Sequence, residues 1–170
     1  MADVDHNDRC VGCGSALKRI DGPTHKYMMS SPACFALFNR LLACEYSDSS
    51  LQMTHRLTVD TFAVQHPGRG QQRREIQSVG LHLARIYLQL NRLRSPEQAN
   101  DIMLGLGKHK ATLVYLEPPT VFSMTVAEVA DFAGTPLHAR RVTEWAAAAW
   151  KDWSAHHDYI TRWTDKWMSD

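Results

Sequence analysis

Hydrophobic residues recur at helical spacing over most of the chain, and short polar or proline-containing turns separate the repeats. The first repeat follows Ser31-Pro32, where serine can cap a helix and proline suits its first turn, and polar residues 47–50 end it. Its apolar positions are Phe35, Phe38, Leu41, Leu42 and Tyr46. This spacing predicts a first helix that begins near Pro32 and ends near residue 47.

The same criteria predict three further helices in the middle of the chain. Residues 51–66 form the second, which Pro67-Gly68 terminates. A third is expected over about 71–94, and Ser95-Pro96 opens a fourth that reaches about Lys108. Because short turns join these helices, consecutive helices must run antiparallel.

The C-terminal part of the chain adds a short helix and a long one. Thr125 and Glu128 form a capping-box pattern for a short helix that ends near Gly134. Thr135-Pro136 then opens the longest helix, which we expect to continue without a break toward Met168. Its stripe consists of Val142, Trp145, Ala149, Trp153, His156, Ile160, Trp163 and Trp167. Such a stripe is more typical of a core face than of a cofactor site.

The N-terminal segment has no comparable repeat. Glycine, proline and polar residues alternate there without an apolar period, which predicts an irregular lobe. We therefore expect an all-α fold, a single domain over residues 1–170 with five or six helices. In this domain an irregular lobe over residues 1–30 precedes a helical bundle over residues 31–170. A lobe without its own core needs another source of order.

Composition and charge match a cytoplasmic globular protein. The 19 basic and 18 acidic residues give a net charge of +1 with no long run of either sign, so nucleic acid is not an expected partner. Arg69, Arg73 and Arg74 form one local basic stretch. Residues 1–6 lack the basic region and apolar core of a signal peptide, and no apolar run approaches the roughly 20 residues of a membrane helix.

The lobe contains a knuckle with the spacing of a metal site. Cys10 and Cys13 form a C-x-x-C pair in a glycine-rich turn, which places two thiolates on one side and needs two further ligands. The chain has four cysteines, and in a reducing compartment these are metal ligands or packing residues rather than disulfides. Cys34 is the expected third ligand, because the first turn of a helix favours a thiolate. A small buried hydrophobe is the alternative interpretation.

Helix geometry nominates the fourth ligand. The second helix returns beside the first, and a rise of ~1.5 Å per residue places His66 level with Cys34 to within about a turn. His25, in the lobe itself, is the alternative fourth ligand. The predicted site is a closed Cys3His centre of Cys10, Cys13, Cys34 and His66 that binds one structural zinc ion and ties the lobe to the bundle.

A second polar cluster is expected deeper in the bundle. Counting the rise per residue along the antiparallel helices places Cys44, His55 and His82 at the same height in the bundle. A second metal site is therefore an alternative interpretation. Asp60 lies about 140° round the helix from His55, so these two side chains cannot face one atom. The candidate catalytic residues are His55, Asp60, Gln65, His82 and His156. Separate histidines with polar partners remain the simpler interpretation.

Several segments of the chain carry a family resemblance. The principal ones are Cys10-Val11-Gly12-Cys13-Gly14, Ser31-Pro32-Ala33-Cys34-Phe35 and residues 55–68, which read HRLTVDTFAVQHPG. Others are Gln77-Ser78-Val79, Leu116-Glu117-Pro118-Pro119 and the tryptophan-rich residues 150–157. In these segments the chain resembles a family of uncharacterised bacterial proteins catalogued as a domain of unknown function. Glycine and tryptophan are usual in that family at the positions of Ala33 and Phe35. The resemblance implies no reaction, but it supports treating residues 55–68 as one functional unit.

Three functions are compatible with these features. The first is a zinc-stabilised helical module that binds a small ligand or a protein partner. The second is a metal-dependent or acid-base enzyme that uses the histidine and aspartate centre. The third is a nucleic-acid-binding regulator that uses the knuckle and the basic stretch. The sequence contains no phosphate loop, dinucleotide fingerprint or nucleophile elbow, so no motif indicates a substrate class.

Overall fold

The computed structural model describes residues 7–168, so the first six residues, where no signal peptide is predicted, lie outside it. Within the described residues, seven α-helices and one two-stranded sheet form, which confirms the predicted helical fold. The strands are β1 (Asn7–Arg9) and β2 (Ala16–Lys18). The helices are α1 (Pro32–Ser47), α2 (Gln52–Gln65), α3 (Arg73–Leu90), α4 (Pro96–Leu106), α5 (Ala127–Ala130), α6 (His138–Asp152) and α7 (His157–Met168). Short 3-10 segments occupy Ser49–Leu51, Gly107–Thr112 and Ser154–His156.

The N-terminal lobe is more regular than the sequence predicts. Strands β1 and β2 pair antiparallel, with Asn7 opposite Lys18 and Arg9 opposite Ala16. The turn of this hairpin carries the Cys10 to Cys13 knuckle. Strands of three residues, nearly all of them exposed, show no alternation of apolar and polar positions, so the pattern of the sequence does not reveal them.

Helix α1 begins where its capping residues predict. Ser31 Oγ accepts a hydrogen bond of 3.2 Å from the backbone N–H of Cys34, and Pro32 occupies the first turn. The buried side chains of α1 are Cys34, Phe38, Leu41 and Glu45. Tyr46, which the predicted stripe included, is instead 72% exposed. The buried face of α1 therefore ends on a glutamate.

Helix α2 is the centre of the bundle and packs against α1, α3 and α6. It is buried along most of its length although many of its residues are polar. Buried polar groups need partners, and these have them. The Thr61 hydroxyl donates to the Leu57 carbonyl at 2.7 Å, and the Gln65 amide donates to the Met124 carbonyl at 2.7 Å. These bonds hold the Thr61 and Gln65 side chains in one direction.

Helix α3 is shorter at both ends than the predicted 71–94. It ends at Leu90, and the chain turns through Leu93, whose φ of 49° lies in the left-handed region. The Arg94 N–H closes this turn by donating to the Leu88 carbonyl at 3.0 Å. Glycine is the usual residue at such a position, so a leucine there gives no stop signal in the sequence.

The prediction of one unbroken C-terminal helix is wrong. Helix α6 ends at Asp152, and a 3-10 turn separates it from α7. At this break the Trp153 indole N–H donates to the Val64 carbonyl at 3.2 Å. The His157 Nε2–H caps the Trp150 carbonyl at 2.7 Å while its ring stacks on that indole. The break lets α6 pack on α2 and α7 pack on α3 and α4. No glycine or proline marks it.

Two apolar clusters hold these elements together. The larger lies among α1, α2, α3 and α6, and includes the buried rings of Phe62, Trp145 and Trp153. The smaller lies among α3, α4 and α7, around Leu88 and Trp163. None of the helices within residues 7–168 combines the length and the apolar content that crossing a lipid bilayer requires.

Candidate metal centre

Three cysteines and one histidine meet at the junction of the lobe and the bundle. The ligand atoms of Cys10, Cys13, Cys34 and His66 all lie within 4.8 Å of one another, and all four residues are buried. Cys13 Sγ lies 3.7 Å from Cys34 Sγ, which lies 3.2 Å from His66 Nε2. This Cys3His group could hold a metal ion. Among residues 7–168 no other group of three or more Cys, His, Asp or Glu side chains converges in this way.

The knuckle is shaped by its own backbone and by two glycines. The Cys10 N–H donates to the Ser15 carbonyl at 2.8 Å, and the Gly14 N–H donates to the Cys10 carbonyl at 2.9 Å. Gly14 has a φ of 78°, which glycine adopts without strain. A Cβ on Gly12 would lie 2.4 Å from the Met29 carbonyl oxygen and 2.6 Å from His66 Cδ2. The knuckle therefore packs directly on the end of α2.

The two bundle ligands come from helix ends that the antiparallel pair brings together. Cys34 lies in the first turn of α1, and the Ser31 N–H just before it points to Cys10 Sγ at 3.3 Å. His66 is the C-terminal cap residue of α2. Its Nδ1–H donates to the Phe62 carbonyl at 2.7 Å, which leaves Nε2 facing the cysteines.

The close approach of the three thiols and the imidazole shifts their pKa values in different directions. Hydrogen bonds from Cys13 and Cys34 lower the pKa of the Cys10 thiol, whereas hydrogen bonding to Cys10 and Cys13 raises the pKa of the Cys34 thiol. Burial lowers the pKa of His66, but hydrogen bonds and charge from Cys10 and Cys13 outweigh it and raise the pKa to about 9. A metal ion that binds here must displace the protons that these groups share.

A chain of hydroxyl groups attaches the knuckle to the loop before α5. Cys13 Sγ lies 3.3 Å from Ser15 Oγ, whose hydroxyl donates to Thr125 Oγ1 at 2.6 Å. The Thr125 hydroxyl in turn donates to Glu128 Oε2 at 2.6 Å. Thr125 and Glu128, which the sequence nominates only as a helix cap, therefore also support the knuckle. A cleft of about 570 Å³ lies between this hairpin and residues 120–128.

His25, the alternative fourth ligand, lies outside the Cys3His group. Its Nδ1 accepts a hydrogen bond from the Met28 N–H at 3.3 Å, and its ring contacts those of Tyr27 and Phe35. Burial and the charges of His82 and Lys26 lower its pKa.

The structure does not gather the five catalytic candidates into one centre. Gln65 accepts from the Trp145 indole at 2.9 Å inside the core. His156 lies near the surface, where its Nε2–H donates to the Glu117 carbonyl at 2.9 Å. The other three candidates fall into two separate networks. Cys44, which the level counting grouped with His55 and His82, belongs to no metal-binding group among the described residues.

One network surrounds Glu45, a residue that the sequence analysis missed. The Glu45 side chain is fully buried and accepts hydrogen bonds from His55 Nδ1 at 3.1 Å and His138 Nε2 at 3.0 Å. The Thr58 hydroxyl also donates to it. The Gly134 N–H donates to His138 Nδ1, so the proton of this ring lies on Nε2. The spacing of the sequence does indicate that Glu45 is buried, because Glu45 follows Leu41 by four residues on the apolar face of α1.

The second network surrounds Asp60. Its buried carboxylate accepts from His82 Nδ1 at 2.6 Å and from Arg85 Nε at 2.8 and 2.9 Å. Burial lowers the pKa of Arg85, but the charge and hydrogen bonds of Asp60 outweigh it and raise it. The sequence analysis missed Arg85, although it follows His82 by three residues on the same side of α3. The basic stretch is also partly engaged within the chain, since Arg73 donates to the Leu113 carbonyl and Arg74 lies over the Tyr27 ring.

Comparison with known proteins gives a family and no function. No curated protein and no solved structure matches this chain. A family of unknown function, DUF5946, matches over residues 8–154, which include both the knuckle and the bundle helices up to the break after α6. The expected resemblance to a family of unknown function is thereby confirmed at the level of the family. This chain belongs to DUF5946.

Proposed function

We propose that this protein is a zinc-stabilised helical module, in which Cys10, Cys13, Cys34 and His66 bind one structural zinc ion. The observation that carries the proposal is the convergence of these four buried ligand atoms within 4.8 Å. Two ligands come from the hairpin and two from the ends of α1 and α2. An ion bound by all four therefore clasps the lobe to the bundle.

The donor set and its spacing fit zinc. Three thiolates and one imidazole are a usual combination in closed tetrahedral zinc sites, and soft sulfur ligands disfavour magnesium and calcium. With zinc–sulfur bonds of about 2.3 Å, two sulfurs of a tetrahedron lie about 3.8 Å apart. The Cys13 to Cys34 separation of 3.7 Å matches this edge. His66 also has the second contact typical of a ligating histidine, from Nδ1–H to the Phe62 carbonyl.

A structural role follows from closure of the site. Four protein ligands leave no position for water or substrate, whereas catalytic zinc sites keep one open. All four residues are buried, with Cys34 and His66 at 0% exposure. The proposed ion therefore acts by holding two parts of the chain together, and any ligand binds elsewhere.

Metal analysis of cysteine variants tests the proposal. We expect the purified wild-type protein to contain one equivalent of zinc by elemental analysis, and Cys34→Ser to lose most of it because the hydroxyl is a poor zinc ligand at neutral pH. Cys44→Ser is the matched control, since Cys44 is on the same helix but outside the group. Equal zinc content in Cys34→Ser and Cys44→Ser would contradict the proposal.

Two histidine variants test the identity of the fourth ligand in the same way. Replacement of zinc by cobalt gives visible absorption that reports tetrahedral sulfur and nitrogen coordination. We expect His66→Ala to change this spectrum and to weaken metal binding, whereas His25→Ala leaves both unchanged. The reverse result would assign the fourth position to His25.

A further inference from the structure

The Asp60 network holds two basic side chains at the edge of a cavity. A cavity of about 240 Å³ lies between the lobe, α3 and α4, and both His82 and Arg85 line it. The carboxylate behind them is fully buried, while the side chains of His82 and Arg85 keep 19% and 13% exposure. Asp60 thus fixes both groups from the protein side, and both residues form part of the cavity wall.

The hydrogen bonds of His82 and Arg85 determine which of their nitrogen atoms remain for a ligand. A carboxylate can only accept, so the His82 proton shared with Asp60 lies on Nδ1, and Nε2 has no hydrogen-bond partner among residues 7–168. The Arg85 Nε is committed to Asp60, and its NH1 makes only a long contact of 3.4 Å with Asn100. The positive charge of Arg85 balances the negative charge of Asp60. An anionic oxygen can bind at Nε2 only as an acceptor from a proton on that nitrogen, and Arg85 keeps N–H donors for the same ligand.

The rest of the cavity wall is small and largely apolar. Tyr27, Leu81 and Met103 supply apolar surface, and Ser78 supplies one hydroxyl on the same side of α3 as His82. None of the acidic side chains within residues 7–168 lines the cavity. The volume falls below the roughly 300–1,000 Å³ of sites for drug-sized molecules, so the occupant must be small.

We propose that this cavity binds a small organic anion, with its carboxylate or phosphate oxygens against His82 and Arg85 and its apolar body against Tyr27, Leu81 and Met103. Convergent basic groups in a mostly apolar pocket are the arrangement that such a ligand needs. His82 and Arg85 lie three residues apart on one helix and share one carboxylate, so the anion site is preorganised. The ligand gives the helical module a binding function that the closed metal site cannot supply.

The position of one wall rests on the proposed metal clasp. Tyr27 belongs to the segment between Cys13 and Cys34, and the Met29 N–H attaches that segment to the His66 carbonyl at 3.2 Å. His82 and Arg85, in contrast, are fixed by Asp60 within the bundle. Loss of the metal should therefore weaken ligand binding without removing the two basic groups.

Calorimetric titration of the zinc-replete protein tests the site with defined probes. Benzoate and phenyl phosphate carry the two kinds of anionic group on an apolar ring, and benzamide is the neutral counterpart of benzoate. We expect at least one anionic probe to bind in the millimolar range or tighter and benzamide to bind at least about tenfold more weakly. The ring nitrogen resonances of His82 should shift in the same titration. Whichever anion binds more tightly identifies the group that the site prefers.

Two variants place the binding in this cavity. We expect His82→Gln, which can still donate to Asp60, to weaken binding about tenfold, and Ser78→Leu to abolish it by filling the cavity. His109→Gln is the matched control, because His109 stacks on Trp167 and does not line the cavity. Zinc content and circular dichroism establish that each variant is folded.

The outcomes separate this inference from the metal proposal. Failure of both anionic probes to bind zinc-replete protein overturns the anion site, as does equal affinity for benzamide or an unchanged affinity in His82→Gln. If the protein as purified contains no zinc but still binds an anionic probe, the anion site stands and the metal proposal alone is overturned.

Discussion

At the scale of single residues, buried polar side chains determine where chemistry can occur. Asp60, Glu45 and His66 are all almost fully buried, and each has specific partners that hold it in one orientation. Burying such groups is favourable only when their hydrogen bonds are made, so each constrains the residues around it. The metal-binding group depends on this constraint, because the Phe62 carbonyl aims His66 at the cysteines.

Gly12 provides a prediction at this scale. Its position allows the knuckle to touch the Met29 carbonyl and the His66 ring, and an alanine methyl would overlap both. We expect Gly12→Ala to lower the free energy of unfolding by about 1–3 kcal/mol and to weaken zinc binding. Chemical denaturation and metal competition measure the two effects. Gly105→Ala is the control, because nothing lies within 4 Å of its Cβ and a helical position favours alanine. Equal stability and zinc affinity in both variants would show that the knuckle does not pack tightly on α2.

At the scale of elements, the Cys3His group forms where the ends of several secondary-structure elements meet. The hairpin turn between β1 and β2, the first turn of α1 and the cap residue that follows α2 each contribute to the Cys3His group, and no element could form the group alone. Helix α3 supplies the second polar site by a different route, because His82 and Arg85 lie on one side of its middle. The start of α1 therefore contains both a helix cap and a member of the Cys3His group.

A pair of serine caps tests this double role. Ser31 Oγ caps α1 beside Cys34, and Ser95 Oγ caps α4 far along the chain by the same kind of bond to Gln98. We expect Ser31→Ala and Ser95→Ala each to lower the free energy of unfolding by about 1 kcal/mol in denaturation experiments. Zinc affinity, measured by competition with a chelator, should fall in Ser31→Ala alone. A similar fall in Ser95→Ala would mean that zinc affinity follows overall stability and not the local cap.

At the scale of the whole molecule, the lobe and the bundle differ in what stabilises them. The bundle has two apolar clusters from its own helices, whereas the lobe contributes mainly Cys10, Cys13 and Met28 to the buried set. A segment that buries so little apolar surface cannot offset the entropy of ordering it. The contacts that fix it are the metal-binding group, the Met29 to His66 hydrogen bond and the Ser15 to Thr125 link.

Removal of the metal should therefore act on the lobe first. We expect chelation to leave the helical circular dichroism nearly unchanged while trypsin begins to cleave after Arg19 and Lys26, which are exposed in the lobe but need a locally unfolded backbone for cleavage. Added zinc should restore protection. Cooperative loss of the helical signal on chelation would show instead that the ion stabilises the bundle as a whole.

Much of this protein was accessible from its sequence because the relevant signals are local. Helical periodicity and the Ser31 and Ser95 caps gave the helices and their starts, and antiparallel counting placed Cys34 near His66. Three features had no such signal in the sequence. The break at Trp153 is made by bonds to Val64 and by the His157 cap, and the end of α3 uses a leucine in a glycine conformation. The separation of His55 from His82 follows from their buried partners, Glu45 and Asp60.

The sequence by itself thus determined the helical fold, the knuckle and the set of side chains that could meet at its edge, because spacing and capping act within a few residues. Only the tertiary structure decided which polar side chains are buried together and which way each one faces. The position of a residue along a helix axis follows from counting residues. The direction of its side chain depends on how the helix rotates about that axis to bury its apolar surface and satisfy its polar groups. That rotation made His66 a neighbour of three cysteines and turned His82 toward a cavity.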